Sequence, residues 1–270
     1  MRLATLRADG GECLAVAGGG GHRRLDTSAD LTALLRGGDD PRQLQVCEPV
    51  DGVPAAPLRP GKVVAIGLNY LDHIRESGLE RPERPLVFAK LPSSVIGATD
   101  AIELDGTLTS RVDWEVELAV VVGRTLRRVA ARDALDHVFG YTVGNDVSAR
   151  DVQFSESQWV RAKSFDTFCP LGPVVVTADE IADPQALALR TRVNGEVMQE
   201  SSTAEMVFGV AELLAFCSHS FTLEPGDVLL TGTPWGCGEF MEPPRSLAAG
   251  DVVEAEIDGI GTLRNRVVAV

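Results

Sequence analysis

The stretch 113–122, Asp-Trp-Glu-Val-Glu-Leu-Ala-Val-Val-Val, constrains the fold more than any other part of the chain. It is rich in β-branched and apolar residues and contains no Gly or Pro before Gly123, so it predicts a β-strand. Side chains alternate between the two faces of a strand, which places Glu115 and Glu117 on the same face. Because apolar residues continue both faces toward the end of the stretch, we expect both faces to be buried.

The paired glutamates allow two interpretations. A Glu-x-Glu pair is common on the exposed face of an edge strand. In a protein interior, two carboxylates on one face repel each other and lose hydration, which is costly unless a cation or a shared proton compensates. The segment 140–151 favours the interior, because a strand-like run there ends at Asp146. Three carboxylates from two strands would supply half of an octahedral Mg²⁺ or Mn²⁺ shell and leave positions for water or substrate oxygens.

Composition and charge limit the classes of partner. A length of 270 residues suffices for one large domain, or for one domain with a small appendage. The net charge of −14 and the pI of about 4.7 argue against nucleic acid or an anionic membrane as the main partner. Five scattered cysteines without a Cys-x-x-Cys motif indicate a reduced, cytoplasmic protein. The sequence predicts neither a signal peptide nor a membrane span.

Two domains are predicted, a small β-rich domain over residues 1–55 and a main domain over residues 56–270. In the first, a hairpin over residues 2–17 precedes a short helix, which Ser28 or Asp30 would cap. A proline-rich connector then leads into the buried first strand of the main domain. The sequence of the small domain offers no candidate catalytic or binding residues.

A histidine and a glutamate follow that first strand. His73 and Glu76 are three residues apart, so on a helical turn they share a face and can form a hydrogen bond. A carboxylate that orients an imidazole and makes it more basic would suit a general base near neutral pH. The spacing alone favours a solvated surface pair. The polar, proline-rich segment 79–85 is either a mobile flap over the site or a solvent loop.

Four further elements are predicted from local signals. Residues 131–139 resemble a short helix, and residues 161–173 a loop that leads into a strand at 174–176. Asn194-Gly195 is a strong hairpin turn. Residues 202–205, Ser-Thr-Ala-Glu, form a capping box that would open a helix.

Two lysines and a cysteine lie in segments near the predicted site. Lys163 is a candidate cation near the metal. Lys90 could reach an anionic ligand, although most lone lysines stay solvated. Cys169, which precedes Pro170, is expected to be a packed thiol and not a nucleophile.

Five motifs, in order across residues 60–270, resemble the fumarylacetoacetate hydrolase family. They are Gly-Leu-Asn-Tyr at 67–70 with Asp72, His73 and Glu76; Asp-Trp-Glu-Val-Glu-Leu at 113–118; Gly-Asn-Asp-Val-Ser-Ala-Arg-Asp at 144–151; Lys-Ser-Phe-Asp at 163–166; and Thr-Gly-Thr-Pro at 231–234. The resemblance implies a β-dominated α+β fold with a mixed β-sheet roll, and usually a homodimer.

The resemblance also implies roles for particular residues. It implies one Mg²⁺ or Mn²⁺ ion per subunit, bound by Glu115, Glu117 and Asp146. It implies catalytic roles for His73 and Glu76, which would activate water on a lid that orders over the ligand. Residues at positions that hold the carboxylate and keto oxygens of a 2-oxo acid are Arg150, Gln153, Lys163 and Thr233. The loop 234–238, Pro-Trp-Gly-Cys-Gly, has bulkier residues than is usual there and is expected to reshape the substrate end of the pocket.

The expected activity is metal-dependent hydrolysis of the carbon–carbon bond of 2,4-dioxo acids such as acylpyruvates, with Lys163 stabilising the negative charge that develops. The same enolate chemistry would serve an oxaloacetate decarboxylase or a 2-hydroxyhepta-2,4-diene-1,7-dioate isomerase, and the sequence separates these alternatives poorly. A non-catalytic 2-oxo-acid binder would need only the three carboxylates and Lys163. The intact pair of His73 and Glu76 argues against such a binder.

Overall fold

The computed structural model describes residues 1–8 and 10–270. Strands dominate these residues, and they form a 12-stranded mixed sheet, a 5-stranded sheet and a 2-stranded sheet. The predicted β-dominated α+β class is therefore confirmed. Among the described residues, no helix combines the length and the apolar character that crossing a membrane requires.

The strands of the first half are β1 (Arg2–Ala8), β2 (Gly11–Gly18), β3 (Gly21–Leu25), β4 (Val46–Val50), β5 (Val53–Pro54), β6 (Val63–Gly67), β7 (Leu86–Lys90), β8 (Val95–Ile96), β9 (Ile102–Leu104), β10 (Val112–Asp113) and β11 (Val116–Val122). The strands of the second half are β12 (Val138–Asn145), β13 (Ser148–Ala149), β14 (Cys169–Thr177), β15 (Ala188–Val193), β16 (Glu196–Ser202), β17 (Val228–Leu230), β18 (Val252–Ile257) and β19 (Gly261–Ala269). The α-helices are α1 (Leu31–Gly37), α2 (Leu71–Ser77), α3 (Ala131–Ala134), α4 (Arg150–Ser155), α5 (Val160–Lys163) and α6 (Val210–Ser220).

Strand β11 lies inside the large sheet, whose order is β4-β3-β2-β1-β14-β12-β11-β17-β6-β7. It pairs antiparallel with β12 on one side and with β17 on the other. Its even-numbered side chains, such as Val116 and Leu118, join one core cluster, whereas Ala119 and Val121 join another. Both faces of the strand are thus buried, as its sequence predicts.

The N-terminal strands continue the same large sheet. Strand β1 pairs antiparallel with β14, with Leu3 opposite Val175. The predicted hairpin is present as β1 and β2, although Asp9 in its turn lies outside the described residues. Helix α1 is capped by Asp30, whose carboxylate accepts a hydrogen bond from the Ala33 amide at 2.8 Å. The domain boundary near residue 55 stays a prediction.

Two elements differ from the prediction, because some of their residues pair in strands. The helix expected over 131–139 ends at Ala134, and after a 3₁₀ turn β12 begins at Val138 and pairs with β11. In the segment expected to be a loop, α5 ends at Lys163 and β14 begins at Cys169, which pairs with Val95 of β8. A local sequence pattern does not predict strand pairing with residues that are distant in the sequence.

The hairpin at Asn194-Gly195 is confirmed by β15 and β16, whereas the helix predicted to begin at residue 202 is present but begins later. Residues Thr203–Glu205 form only a 3₁₀ turn, and α6 begins after Gly209. The cause lies in Asn69, whose side-chain oxygen accepts from the Phe208 amide at 3.0 Å and whose backbone carbonyl accepts from Val207 at 2.7 Å. These contacts hold residues 207–208 outside the helix.

Candidate active site

Three buried carboxylates meet at the ends of β11 and β12. Glu115 directly precedes β11, Glu117 lies in it, and Asp146 directly follows β12. The antiparallel register sets Val116 opposite Asn145, and the Asp146 amide donates to the Glu115 carbonyl at 2.9 Å. One carboxylate oxygen from each acid lies within 4.8 Å of the other two. The structure thus brings together the three acids that the sequence predicts as metal ligands.

Buried cations surround two of the three acids. The Lys163 ammonium donates to Glu115 at 2.7 Å and to Asp146 at 2.8 Å. The Arg150 guanidinium lies 2.6 Å from Glu115. Burial alone would raise the pKa of Glu115, but the charges of Lys163 and Arg150 outweigh it and lower that pKa to about 2. Glu115 is therefore held as a carboxylate.

Lys90 is a further cation of this cluster, and of the two alternatives the structure favours contact with an anionic group over a solvated side chain. Its side chain is buried, and its ammonium donates to Asp146 at 2.6 Å. It also donates to the backbone carbonyls of Val147 and Lys163. These acceptors replace the water that a lysine loses on burial.

Glu117 is the acid without a cationic partner. Its Oε2 accepts from the Gly232 amide at 2.7 Å, whereas its buried Oε1 has no hydrogen-bond partner. Gly232 has φ of +95°, and a Cβ there would lie 2.8 Å from the Cβ of Asn69, so the close approach needs glycine. Burial raises the pKa of Glu117 well above its usual range, and the charges of Asp146 and Glu115 raise it further. An unpaired oxygen among three acids fits a hard divalent cation such as Mg²⁺ or Mn²⁺.

The predicted acid–base pair lies on α2. His73 Nδ1 is 3.1 Å from Glu76 Oε2, and the Gly236 amide donates to Glu76 Oε1 at 2.8 Å. His73 is only 6% exposed and packs edge-on against Phe240, so the solvated surface pair is excluded. Because an ionised carboxylate can only accept, this contact places a proton on Nδ1, and in the neutral ring Nε2 then has the lone pair.

One small cavity of about 70 Å³ connects these groups. The polar residues that line it are His73, Glu115, Glu117, Arg150, Gln153, Lys163 and Thr233. Its apolar wall includes Leu79, which opens the segment proposed as a flap, and the aromatic residues Phe88, Phe154, Trp159 and Phe240. Most predicted site residues therefore border a single space, with Glu76 and Asp146 directly behind it.

Three predicted substrate residues, Arg150, Gln153 and Thr233, are also held by the protein. Arg150 donates through Nη1 to Gln153 at 2.9 Å and through Nε to Asp113 at 2.9 Å. Thr233 donates to the Val116 carbonyl at 3.0 Å and accepts from Gln199 at 2.9 Å. Their guanidinium, amide and hydroxyl groups are thus fixed in position before any ligand binds.

Sequence reasoning missed two residues that support the site, Asp113 and Gln199. Asp113 could have been found, because strand alternation places it on the face of Glu115 and Glu117. Its carboxylate orients Arg150 and accepts from the Gly238 amide at 2.7 Å, which ties it to the loop that bears Trp235 and Cys237. No comparable sequence signal marks Gln199. The expectation for Cys169 is met, because the thiol is buried and burial raises its pKa to about 12.

Comparisons with known proteins agree with this geometry. The family described as "Fumarylacetoacetate (FAA) hydrolase C-terminal" matches residues 62–268. Oxaloacetate tautomerase fahd2, mitochondrial, from Xenopus laevis is 50% identical over 216 residues, which cover 79% of this chain and 67% of that protein. A fumarylacetoacetate hydrolase structure from Exiguobacterium antarcticum has a TM-score of 0.89 at 39% identity and covers 100% of both chains. A 2-hydroxyhepta-2,4-diene-1,7-dioate isomerase structure from Mycobacterium marinum has a TM-score of 0.83 at 36% identity, and covers 100% of this chain and 98% of that one.

Proposed function

Because the chain belongs to the fumarylacetoacetate hydrolase family, we propose that it is a divalent-metal-dependent enzyme that moves a proton at the carbon beside the keto group of a short 2-oxo acid. Keto–enol tautomerisation of oxaloacetate is the first candidate reaction. The observation that carries this proposal is the single cavity of about 70 Å³ bordered by both the carboxylates and His73. Such a small space favours a compact substrate.

The proposed metal ligands are Glu115, Glu117 and Asp146, and the proposed ion is Mg²⁺ or Mn²⁺. When bound, the ion would supply a Lewis acid for the oxygens of a 2-oxo acid. The donor set supports this assignment, since it offers only carboxylate oxygens and one of them has no other partner.

His73 is the proposed base. Its Nε2 would accept the proton from the carbon beside the keto group and return it to the enolate, while Glu76 keeps Nδ1 protonated and stabilises the imidazolium. The Lys163 ammonium would stabilise negative charge on the substrate oxygen. Arg150, oriented by Asp113 and Gln153, would bind a substrate carboxylate.

Hydrolysis of the carbon–carbon bond of an acylpyruvate, the reaction expected from the sequence, is the second candidate. The buried His73–Glu76 pair favours it, since the same Nε2 could take a proton from water. Similarity to an oxaloacetate tautomerase at 50% identity favours proton transfer as the first candidate. Decarboxylation of oxaloacetate and isomerisation of a 2-hydroxydienoate are further members of the same reaction class.

Product-resolved turnover separates these candidates. Protein stripped of metal and then given Mg²⁺ would be offered freshly dissolved enol-oxaloacetate, with the loss of enol ultraviolet absorbance and the release of pyruvate followed together. Acetylpyruvate would be offered in parallel, with acetate and pyruvate as the products sought. Glu115→Ala is the test variant, and Glu103→Ala, an exposed glutamate on β9, is the matched control.

We expect Mg²⁺-dependent loss of enol without pyruvate, abolished in Glu115→Ala and kept in Glu103→Ala. Acetate and pyruvate from acetylpyruvate would establish the hydrolase instead. Pyruvate from oxaloacetate would establish a decarboxylase, and turnover of neither substrate would contradict the proposal.

We also propose a homodimer in a reduced, cytoplasmic setting, without nucleic acid or membrane as a partner. The five free cysteines support the reduced setting. Light scattering coupled to size exclusion would test the dimer, with a mass of 28.8 kDa for the monomer as the contradicting result.

A further inference from the structure

A second group of metal-binding atoms lies behind the cavity and is not made of carboxylates alone. Ligand atoms of His73, Glu76 and Cys237 all lie within 4.8 Å of one another. His73 Nδ1 is 3.1 Å from Glu76 Oε2 and 4.0 Å from Cys237 Sγ. In a tetrahedral zinc site with ordinary bond lengths, the nitrogen–oxygen edge is about 3.4 Å and the sulfur–nitrogen edge about 3.6 Å. The two edges that meet at His73 are therefore within a few tenths of an ångström of these values, and the third edge, from Glu76 to Cys237, is within 4.8 Å.

The loop that carries Cys237 is fixed against this group. Gly236 has φ of +94°, and a Cβ there would lie 2.1 Å from the Met198 carbonyl. Its amide donates to the second carboxylate oxygen of Glu76, which leaves Oε2 directed at His73. Among the described residues, the other polar neighbours of the Cys237 thiol are Gln199 Nε2 and the Pro234 carbonyl, each at 3.9 Å. The proposed function gives this buried thiol no task.

We propose that His73, Glu76 and Cys237 form a second, inhibitory site for a thiophilic divalent cation such as Zn²⁺. The two sites differ in donor chemistry. The acid triad offers only oxygen, which suits Mg²⁺ or Mn²⁺, whereas imidazole, thiolate and carboxylate together suit Zn²⁺. A water would fill the fourth position. His73 lines the cavity, which gives an ion a route to the site.

Binding changes the protonation of two side chains. The thiol of Cys237 loses its proton to solvent as the metal–sulfur bond forms. The ion also displaces the proton of His73 Nδ1, and the neutral ring then carries its proton on Nε2. One proton is released overall, and Nε2 no longer has a lone pair. Loss of activity follows from the proposed function, in which Nε2 is the base, but binding of the ion does not depend on that function.

Cobalt(II) provides a readout that is independent of turnover. Wild-type protein saturated with Mg²⁺ would be titrated with Co²⁺, and the near-ultraviolet charge-transfer band of a cobalt–thiolate bond recorded. Co²⁺ that exchanges into the acid triad gives no such band, because that site has no sulfur. Cys237→Ser is the test variant, and Cys47→Ser, which removes the half-buried cysteine, is the matched control.

We expect one equivalent of the band in the wild type and in Cys47→Ser, and none in Cys237→Ser. The Zn²⁺ concentration that halves activity should be higher by roughly tenfold or more in Cys237→Ser, with Mg²⁺-supported turnover unchanged. Zinc X-ray absorption on the wild type should show one sulfur at about 2.3 Å, which keeps the test valid if the variant does not fold. No band and no sulfur neighbour would overturn the site. A band without inhibition would overturn only its regulatory consequence and the role of His73 as base.

Discussion

Replacing Glu117 with glutamine should stabilise the metal-free protein and abolish its response to metal. The side chain has one satisfied oxygen, which accepts from Gly232, and one buried oxygen without a partner. A glutamine keeps the acceptor for Gly232 and turns the unpaired atom into an N–H donor beside Glu115 and Asp146. The raised pKa of Glu117 already favours its protonated form, so the change removes the repulsion that remains and satisfies a buried polar atom.

The size of the effect follows from the distances. Two carboxylates within 4.8 Å repel each other by about 3 kcal/mol at an effective dielectric constant of about 20. Lys163 already offsets part of this repulsion, so we expect the free energy of unfolding to rise by about 1–3 kcal/mol, the usual cost of an unsatisfied buried group. For a chain of this length, Tm should increase by about 2 °C or more.

The matched control is Glu115→Gln, for which the opposite sign is expected. Glu115 pairs with Lys163 and Arg150, so its neutralisation removes one anionic partner from each of two buried cations. We expect the free energy of unfolding to fall by about 3–5 kcal/mol. The assay is thermal unfolding in chelator and in Mg²⁺ or Mn²⁺ at 100 times the dissociation constant, where the wild type should gain about 2.7 kcal/mol. Both variants should lose that gain. If Tm in chelator moves in the same direction for both, the charge distribution inferred here is wrong.

Three other perturbations test separate parts of the site. His73→Ala should abolish turnover and spare ligand binding, so a Kd for oxalate that changes together with kcat would contradict its role as base. Lys90→Met should leave Asp146 without one buried partner and lower the free energy of urea unfolding by about 3–5 kcal/mol, whereas an unchanged value would refute its structural role. The lowered pKa of Glu115 stabilises the fold above the unfolded pKa of about 4.5, and this stabilisation is lost as the pH falls toward 2. The free energy of unfolding of the metal-free protein should therefore fall by about 3 kcal/mol over that range, and that of Glu115→Gln should fall by less.

Strand periodicity predicted that Glu115 and Glu117 share a face, whereas Asp146 joined them through the strand-like run that ends there and through the family resemblance. The alternation in β11 fixes which side chains share a face, and the register with β12 seen in the structure sets the position of Asp146. The same alternation marks Asp113 as a member of this face. Local patterns of this kind transfer to the structure because they depend on neighbours within a few residues.

The parts that could not be predicted depend on distant residues. The burial of Lys90 requires Asp146, 56 positions away, to replace its hydration. The late start of α6 requires Asn69, 139 positions before Phe208. The pairing of β1 with β14 joins residues more than 170 positions apart. A single sequence gives no register for such contacts.

The buried lysines and arginine change what kind of metal protein this is. Four buried carboxylates belong to the cluster, those of Asp113, Glu115, Glu117 and Asp146. Three buried cations face them, those of Lys90, Lys163 and Arg150. With all seven ionised, the formal charge is −1 without a divalent ion and +1 with one. Because the chain supplies most of its own countercharge, we expect it to fold without metal. The ion should then bind to and dissociate from protein that stays folded.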